Sequence, residues 1–151
     1  MVPHLMGPLL ILKFGCASLT SFLYLRRYAS RQGYAVVGGL LYAFSGFSVY
    51  NIFFNHFHEA IIFFPLMLWA LDEYMYNHRR YVFAFSVFLC CTVNYYFFVG
   101  QVVFLLIYWA TRMLLRNWKM SLRDFLQLLC EAIIGVLCTC ALLLPTVLAV
   151  V

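Results

Sequence analysis

The chain has 151 residues, of which 66% are hydrophobic and only 10% are charged. An ordinary soluble domain is about 45–50% apolar and about 25% charged, and a soluble fold of this length has too small an interior to bury so much apolar surface. The net charge of +5 comes from only ten basic and five acidic residues. Composition therefore excludes a soluble enzyme, a disordered tail and an ordinary nucleic-acid-binding domain, and it indicates a multi-pass membrane protein.

Apolar segments of membrane-spanning length recur along the chain. About 20 mostly apolar residues are needed to cross a hydrocarbon core of ~30 Å. The first segment, 9–25, is interrupted only by Lys13, and the second, 34–54, has no charged residue. The third, 59–76, contains Pro65, which predicts a kink in that helix.

The basic residues predict how these segments are oriented. Lys and Arg concentrate in cytoplasmic loops, and the linkers 55–59 and 94–100 contain neither. Alternation of basic and non-basic linkers predicts that the basic linkers are cytoplasmic and that both ends of the chain are extracytoplasmic. We interpret the clusters as orienting and lipid-contacting rather than substrate-binding. Three clusters hold nine of the ten Lys and Arg residues: Arg26, Arg27 and Arg31; Arg79 and Arg80; and Arg112, Arg116, Lys119 and Arg123.

The uncharged run from Tyr81 to Thr111 decides the number of crossings. Its 31 residues would form a helix of roughly 46 Å, too long for one ordinary span. Because Arg80 and Arg112 are predicted on one side, the run must cross twice and turn near Asn94–Gly100. The sequence thus predicts an all-α polytopic transmembrane bundle of about six helices in one domain, 1–151, with helices at about 9–25, 34–54, 59–76, 79–95, 98–115 and 125–151. No helix precedes the first segment, and the chain ends inside an apolar run at Val151. Both features suggest a fragment of a longer protein.

Lys13 is the one basic residue inside a predicted span. A lysine at the centre of a membrane costs about 2.5–3.5 kcal/mol on insertion scales. One interpretation is a side chain that snorkels to the interface or forms a structural ion pair. The other is a cation that binds a lipid-linked phosphate.

The stretch from Asn55 to Glu59 is the most polar part of the predicted outer side. His56, His58 and Glu59 resemble a metal-ligand set, but their spacing matches no zinc motif, and we predict no metal. The stretch is either a solvated loop whose Glu59 caps the next helix, or part of an outward-facing substrate site. Glu131 is expected to pair with an arginine of the loop before it.

Small residues on the second segment predict close helix packing. Ala35, Gly39 and Ala43 recur every four residues, and with Gly38 they form a narrow face that a neighbouring helix can approach. Ser45-Gly46 is expected to loosen this helix near its middle.

An ordered set of short motifs resembles the YfhO family of bacterial polytopic membrane proteins. Each motif is short, but together they cover nearly the whole chain in the family's order. They are Leu12-Lys13-Phe14, Tyr24-Leu25-Arg26-Arg27, Gly39-Leu40-Leu41-Tyr42-Ala43-Phe44-Ser45-Gly46, Phe64-Pro65-Leu66-Met67-Leu68, Asn94-Tyr95-Tyr96 and Leu143-Leu144-Pro145-Thr146.

The resemblance implies a GT-C-like fold and a glycosyltransferase that takes sugar from polyprenyl phosphate on the outer face of the bacterial cell membrane. In Gram-positive bacteria such proteins are associated with sugar decoration of lipoteichoic acid. The implied partners are membrane lipids, the polyprenyl-phosphate sugar donor and a cell-wall polymer acceptor, with no cofactor and no nucleic acid. The catalytic acid of this class follows the first helix and would precede Met1, so whether this chain alone is an enzyme stays open.

Within that hypothesis, the polar residues of the predicted outer side receive roles. Lys13 is predicted to stabilise the departing phosphate, His56 and His58 to line the acceptor side, and Glu59 to act as an auxiliary acid. Two other hypotheses remain. A transporter or flippase fragment would use intramembrane polar residues and broken helices, and a scaffold would have no chemistry.

The predicted orientation is testable by cysteine labelling from outside the cell, in a cysteine-depleted background. We expect Phe57→Cys to react with a membrane-impermeant reagent and Trp118→Cys to stay unlabelled, because only the first lies in a linker without basic residues. The reverse labelling pattern would contradict the topology.

Overall fold

The computed structural model describes residues 6–52, 55–115 and 121–150, and for residues 6, 55, 56, 143 and 145–150 it describes the backbone alone. All described secondary structure is helical, which confirms the predicted all-α membrane class. The described helices are α1 (Met6–Leu25), α2 (Gln32–Ala43), α3 (Gly46–Tyr50), α4 (Asn55–Asn77), α5 (Val82–Val93), α6 (Tyr95–Leu114) and α7 (Leu122–Val150).

Within the described residues, four segments are long and apolar enough to cross a membrane: Gly7–Leu25, Gln32–Tyr50, Tyr95–Leu114 and Leu122–Leu142. The other two predicted crossings differ from these. Helix α5 is apolar but only 12 residues long, about 18 Å against a core of ~30 Å. Helix α4 has 23 residues, but it carries Glu59, Asp72 and Glu73. The count of six crossings therefore remains a prediction.

The chain divides into two compact units, residues 1–69 and 70–151. In the first unit α1 packs closely on α2 through the predicted small-residue face. Ala35, Gly39 and Ala43 are buried, and a Cβ atom added to Gly39 would lie 2.8 Å from the backbone oxygen of Ser18. The helices are this close because glycine has no side chain to hold them apart.

The loosening predicted at Ser45-Gly46 is confirmed as a break between helices. Helix α2 ends at Ala43, and α3 begins at Gly46 after an extended Ser45.

The polar stretch from Asn55 to Glu59, expected as a loop, belongs to α4, so that expectation is wrong. The first four N–H groups of any helix lack partners within it, and polar residues are well tolerated there. Polarity in this stretch therefore marks a helix start and not a loop.

The uncharged run is interrupted at Asn94, as predicted. Asn94 has an extended backbone (φ −157°, ψ 96°), and its side-chain oxygen accepts a hydrogen bond from the N–H of Phe97 at 3.3 Å. This is an N-cap, a position that asparagine favours. The predicted extent of the turn is wrong, because Gly100 and Gln101 lie inside α6. A single capping residue is enough to end one helix and begin the next.

In the second unit a buried carboxylate on α7 accepts hydrogen bonds from backbone N–H groups at the start of α5. Glu131 is 6% exposed and accepts hydrogen bonds from the N–H groups of Tyr81 at 3.1 Å and Ala84 at 3.4 Å. The expected pairing with an arginine of the loop before α7 stays a prediction. Glu131 satisfies N–H groups at the N-terminal end of α5, where a helix favours negative charge.

A proline inside α4 leaves one carbonyl without its usual helical partner. In an α-helix the C=O of Ile61 would accept from the N–H of residue 65, but Pro65 has no N–H. Tyr42 of α2 takes that place, because its hydroxyl donates to the Ile61 oxygen at 3.0 Å. This contact fixes α2 against α4 within the first unit. Helix α4 continues through Pro65, and the kink stays a prediction.

Three glycine variants test the close packing of α1 and α2. Gly39→Ala should lower the free energy of unfolding by about 1–3 kcal/mol, because its Cβ meets backbone that cannot move alone. Gly38→Ala should cost less, since its Cβ meets only the end of the Leu25 side chain. Gly33→Ala is the control, with nothing within 4 Å of its Cβ. Unfolding in detergent ranks the variants, and a Gly39→Ala protein as stable as Gly33→Ala would contradict the packing.

The contact between Tyr42 and Ile61 is testable by a double-mutant cycle. Tyr42→Phe should cost about 1–3 kcal/mol, because it leaves a carbonyl unsatisfied. In a Pro65→Ala background the same change should cost clearly less, since the substituted alanine returns a backbone N–H to the Ile61 oxygen. Unfolding of the four proteins in detergent gives the coupling energy. Equal costs in both backgrounds would show that the hydroxyl does not replace the missing N–H.

Candidate functional site

The candidate site begins with an ion pair between α1 and α4. The Nζ atom of Lys13 lies 2.9 Å from Oε1 of Glu59, and the two side chains are 10% and 40% exposed. These residues are 46 positions apart in the chain. The structure therefore supplies Lys13 with a carboxylate partner inside the first unit, as the ion-pair interpretation expected.

The two members of this pair differ in exposure. A charge-assisted hydrogen bond offsets part of the cost of removing Lys13 from water. Glu59, by contrast, keeps two fifths of its side chain accessible. The pair thus has a buried cationic side and an open anionic side.

His58 lies beside this pair and has a defined tautomer. It is 3% exposed, and its Nε2 atom is 3.0 Å from the carbonyl oxygen of Ser48. Because a carbonyl only accepts hydrogen bonds, Nε2 must carry the hydrogen, an assignment that follows from the partner. In the neutral ring Nδ1 is then an acceptor. Among the described residues this buried atom has no hydrogen-bond partner.

The ion pair and the histidine occupy neighbouring positions on both helices. Phe14 follows Lys13 on α1, and its ring contacts the His58 ring edge-on, with 5.3 Å between the centroids. Phe14 also stacks on Phe44, with centroids 5.0 Å apart and planes 12° apart. Two consecutive residues of α1 thus contact two consecutive residues of α4. Cation, carboxylate and imidazole form one polar cluster against an aromatic wall.

The structure brings together three of the four predicted site residues: Lys13, His58 and Glu59. His56 lies in the first turn of α4, and its side chain is outside the described part of the chain. No group of three or more metal-ligating side chains occurs among the described residues.

Several supporting contacts had no signal in the sequence. The Ser48 carbonyl orients His58, and the Phe44 ring holds Phe14. In the second unit Asp72 is fully buried and accepts from the hydroxyl of Tyr108 at 2.9 Å, which in turn accepts from Nε of Arg112 at 3.2 Å. Of these residues, only Asp72 could have been singled out from the sequence, because it is an acidic residue in an apolar segment.

Two arginines of the basic clusters contact side chains of the unit to which they belong. The guanidinium of Arg27 lies 5.4 Å from the ring centroid of Trp69, and Nε of Arg79 lies 3.3 Å from Glu73. Arg116 and Lys119 lie outside the described residues. The interpretation of these clusters as orienting elements stays a prediction.

The comparison with known families matches residues 6–151 to the family described as bacterial membrane protein YfhO. The chain belongs to the YfhO family. The match covers every described residue, including the polar cluster of Lys13, His58 and Glu59. It confirms the family resemblance and the membrane localisation of the protein. Neither the curated proteins nor the solved structures include a match to this chain.

Proposed function

We propose that this chain is the membrane-embedded part of a glycosyltransferase. The enzyme would take a sugar from polyprenyl phosphate and attach it to a cell-envelope polymer such as lipoteichoic acid. Membership of the YfhO family and the motif resemblance support the reaction class. The observation that carries the proposal is the ion pair of buried Lys13 with Glu59, with His58 beside it, since charged residues within membrane segments generally mark a substrate or ion site.

In the proposed reaction the acceptor hydroxyl attacks the anomeric carbon of the donor sugar. A new C–O bond forms to the acceptor oxygen, and the bond between the anomeric carbon and the phosphate oxygen breaks. The electron pair of that bond stays on the phosphate, and a base removes the proton of the hydroxyl. The step needs a cation near the phosphate, because negative charge grows there as the bond breaks.

Lys13 would supply that cation. A lysine that is already desolvated stabilises a phosphate more strongly than one in water, because the local dielectric is low. Glu59 would hold the ammonium in place before the substrate arrives, and it would act as an auxiliary acid at its exposed edge. His58 and His56 would line the acceptor side. The proposed orientation puts this cluster on the extracytoplasmic side, with both ends of the chain there as well.

The proposal is tested by replacing the gene at its locus in the native bacterium. Lys13→Met should reduce the sugar content of lipoteichoic acid by at least about tenfold, the loss expected when one charged contact of about 1.5–3 kcal/mol disappears. Lys13→Arg should keep part of the activity, since the charge remains but the geometry changes. Glu59→Gln should reduce the sugar content less than Lys13→Met does. Immunoblots of membranes confirm that each variant is inserted.

A double variant separates this role from a structural ion pair. If the pair only stabilises the fold, Lys13→Met/Glu59→Gln should restore function, because no unpaired charge is left. If Lys13 acts on the phosphate, the double variant stays inactive. Arg26→Met is the matched control, because it removes an exposed cation that directly follows the end of α1. Full sugar transfer by Lys13→Met would refute the proposal.

A further inference from the structure

An open groove runs between α1 and α2 in the first unit. Its volume is about 480 Å³, within the range of about 300–1,000 Å³ that is typical of small-molecule sites. On α1 it extends from Ile11 to Phe22, and on α2 it is lined by Val36 and Leu40. That stretch of α1 corresponds to about 16 Å of helix. The groove therefore extends along about three turns of α1, a shape that suits a chain better than a compact molecule.

The side chains that line the groove favour an apolar ligand. Ser18 brings the one hydroxyl among its lining side chains. Both walls belong to segments long and apolar enough to cross a membrane, Gly7–Leu25 and Gln32–Tyr50, so an occupant would be surrounded by apolar helix surface. The space beside Gly15, one of the lining residues, is open, because a Cβ atom added there would meet nothing within 4 Å. At Gly39 of the same helix pair, by contrast, an added Cβ would collide with backbone.

One end of the groove adjoins the polar cluster. Phe14 lines the groove, stacks on Phe44, and contacts the ring of His58 with its edge. Lys13 is the residue directly before Phe14, and it is held by Glu59. A molecule with a hydrocarbon chain in the groove would thus have its head beside a buried cation.

We infer that this groove binds the isoprenoid chain of the lipid-phosphate donor. The inference rests on the proposed function, which places the phosphate of the same lipid at Lys13. Binding of the chain buries apolar surface on both partners, and aromatic side chains at the polar end contact the first isoprene units. Chain binding would place the phosphate at the cluster before any reaction occurs.

Photolabelling with a polyprenyl phosphate that carries a diazirine in its chain tests the inference. The probe is added to the purified protein in phosphatidylcholine nanodiscs, and labelled peptides are mapped by mass spectrometry. Wild type should be labelled within residues 11–22 and 36–44. Gly15→Leu adds a side chain to the groove lining at a position where an added Cβ meets nothing within 4 Å, and we expect it to reduce this labelling at least about fivefold. Ser18→Leu, a second filling variant, should act in the same direction.

Gly100→Leu is the matched control. It makes the same substitution in the apolar helix α6, also with nothing within 4 Å of the added Cβ, and it should leave labelling unchanged. Equal labelling of wild type, Gly15→Leu and Ser18→Leu would overturn the inference. So would labelling that excess phosphatidylglycerol abolishes and unlabelled polyprenyl phosphate does not, because the groove would then be an ordinary phospholipid site.

The photolabelling result and the sugar-transfer result separate the two proposals. Loss of labelling in Gly15→Leu, together with full sugar transfer by Lys13→Met, would retain the groove as a prenyl-chain site and refute the role of Lys13. Unchanged labelling in Gly15→Leu, together with loss of transfer in Lys13→Met, would refute the groove and retain the proposed function.

Discussion

The constraint on which this structure depends is that the hydrocarbon core contains no water to satisfy polar groups. Every backbone N–H and C=O at that depth must find its partner inside the protein. Helices meet this demand along their length but not where they begin, end or contain proline. Three of the described side-chain hydrogen bonds fall at such places: Tyr42 serves the carbonyl opposite Pro65, Asn94 caps α6, and Glu131 receives the start of α5.

This constraint helps to separate structural polar groups from candidate functional ones. Asp72 and Glu131 are buried acids with hydrogen-bond donors in place, so their presence in apolar segments is explained by the fold. His58 is different, because one ring nitrogen is used and the other is a buried acceptor without a partner among the described residues. An unsatisfied buried acceptor costs about 1–3 kcal/mol. His58, the neighbour of Glu59 in the ion pair, therefore remains the candidate functional group of this cluster.

The sequence by itself determined the features that depend on local chemistry. Apolar composition determined the membrane class. The four-residue spacing of Ala35, Gly39 and Ala43 predicted a tight helix face, and Asn94 predicted the break in the uncharged run. Each of these is set by a residue and its near neighbours, through propensity, capping or periodicity. The same local logic failed at Asn55–Glu59, because polarity marks both a loop and the first turn of a helix.

Only the tertiary structure decided which distant residues meet. That Lys13 pairs with Glu59, that His58 donates to Ser48, and that Tyr42 replaces the N–H missing at Pro65 depend on how α1, α2 and α4 are rotated and shifted. A rotation by one residue, about 100° around a helix axis, would remove each contact without changing any local preference. The sequence therefore identified the polar residues of the site, and the packing of the helices determined their partners.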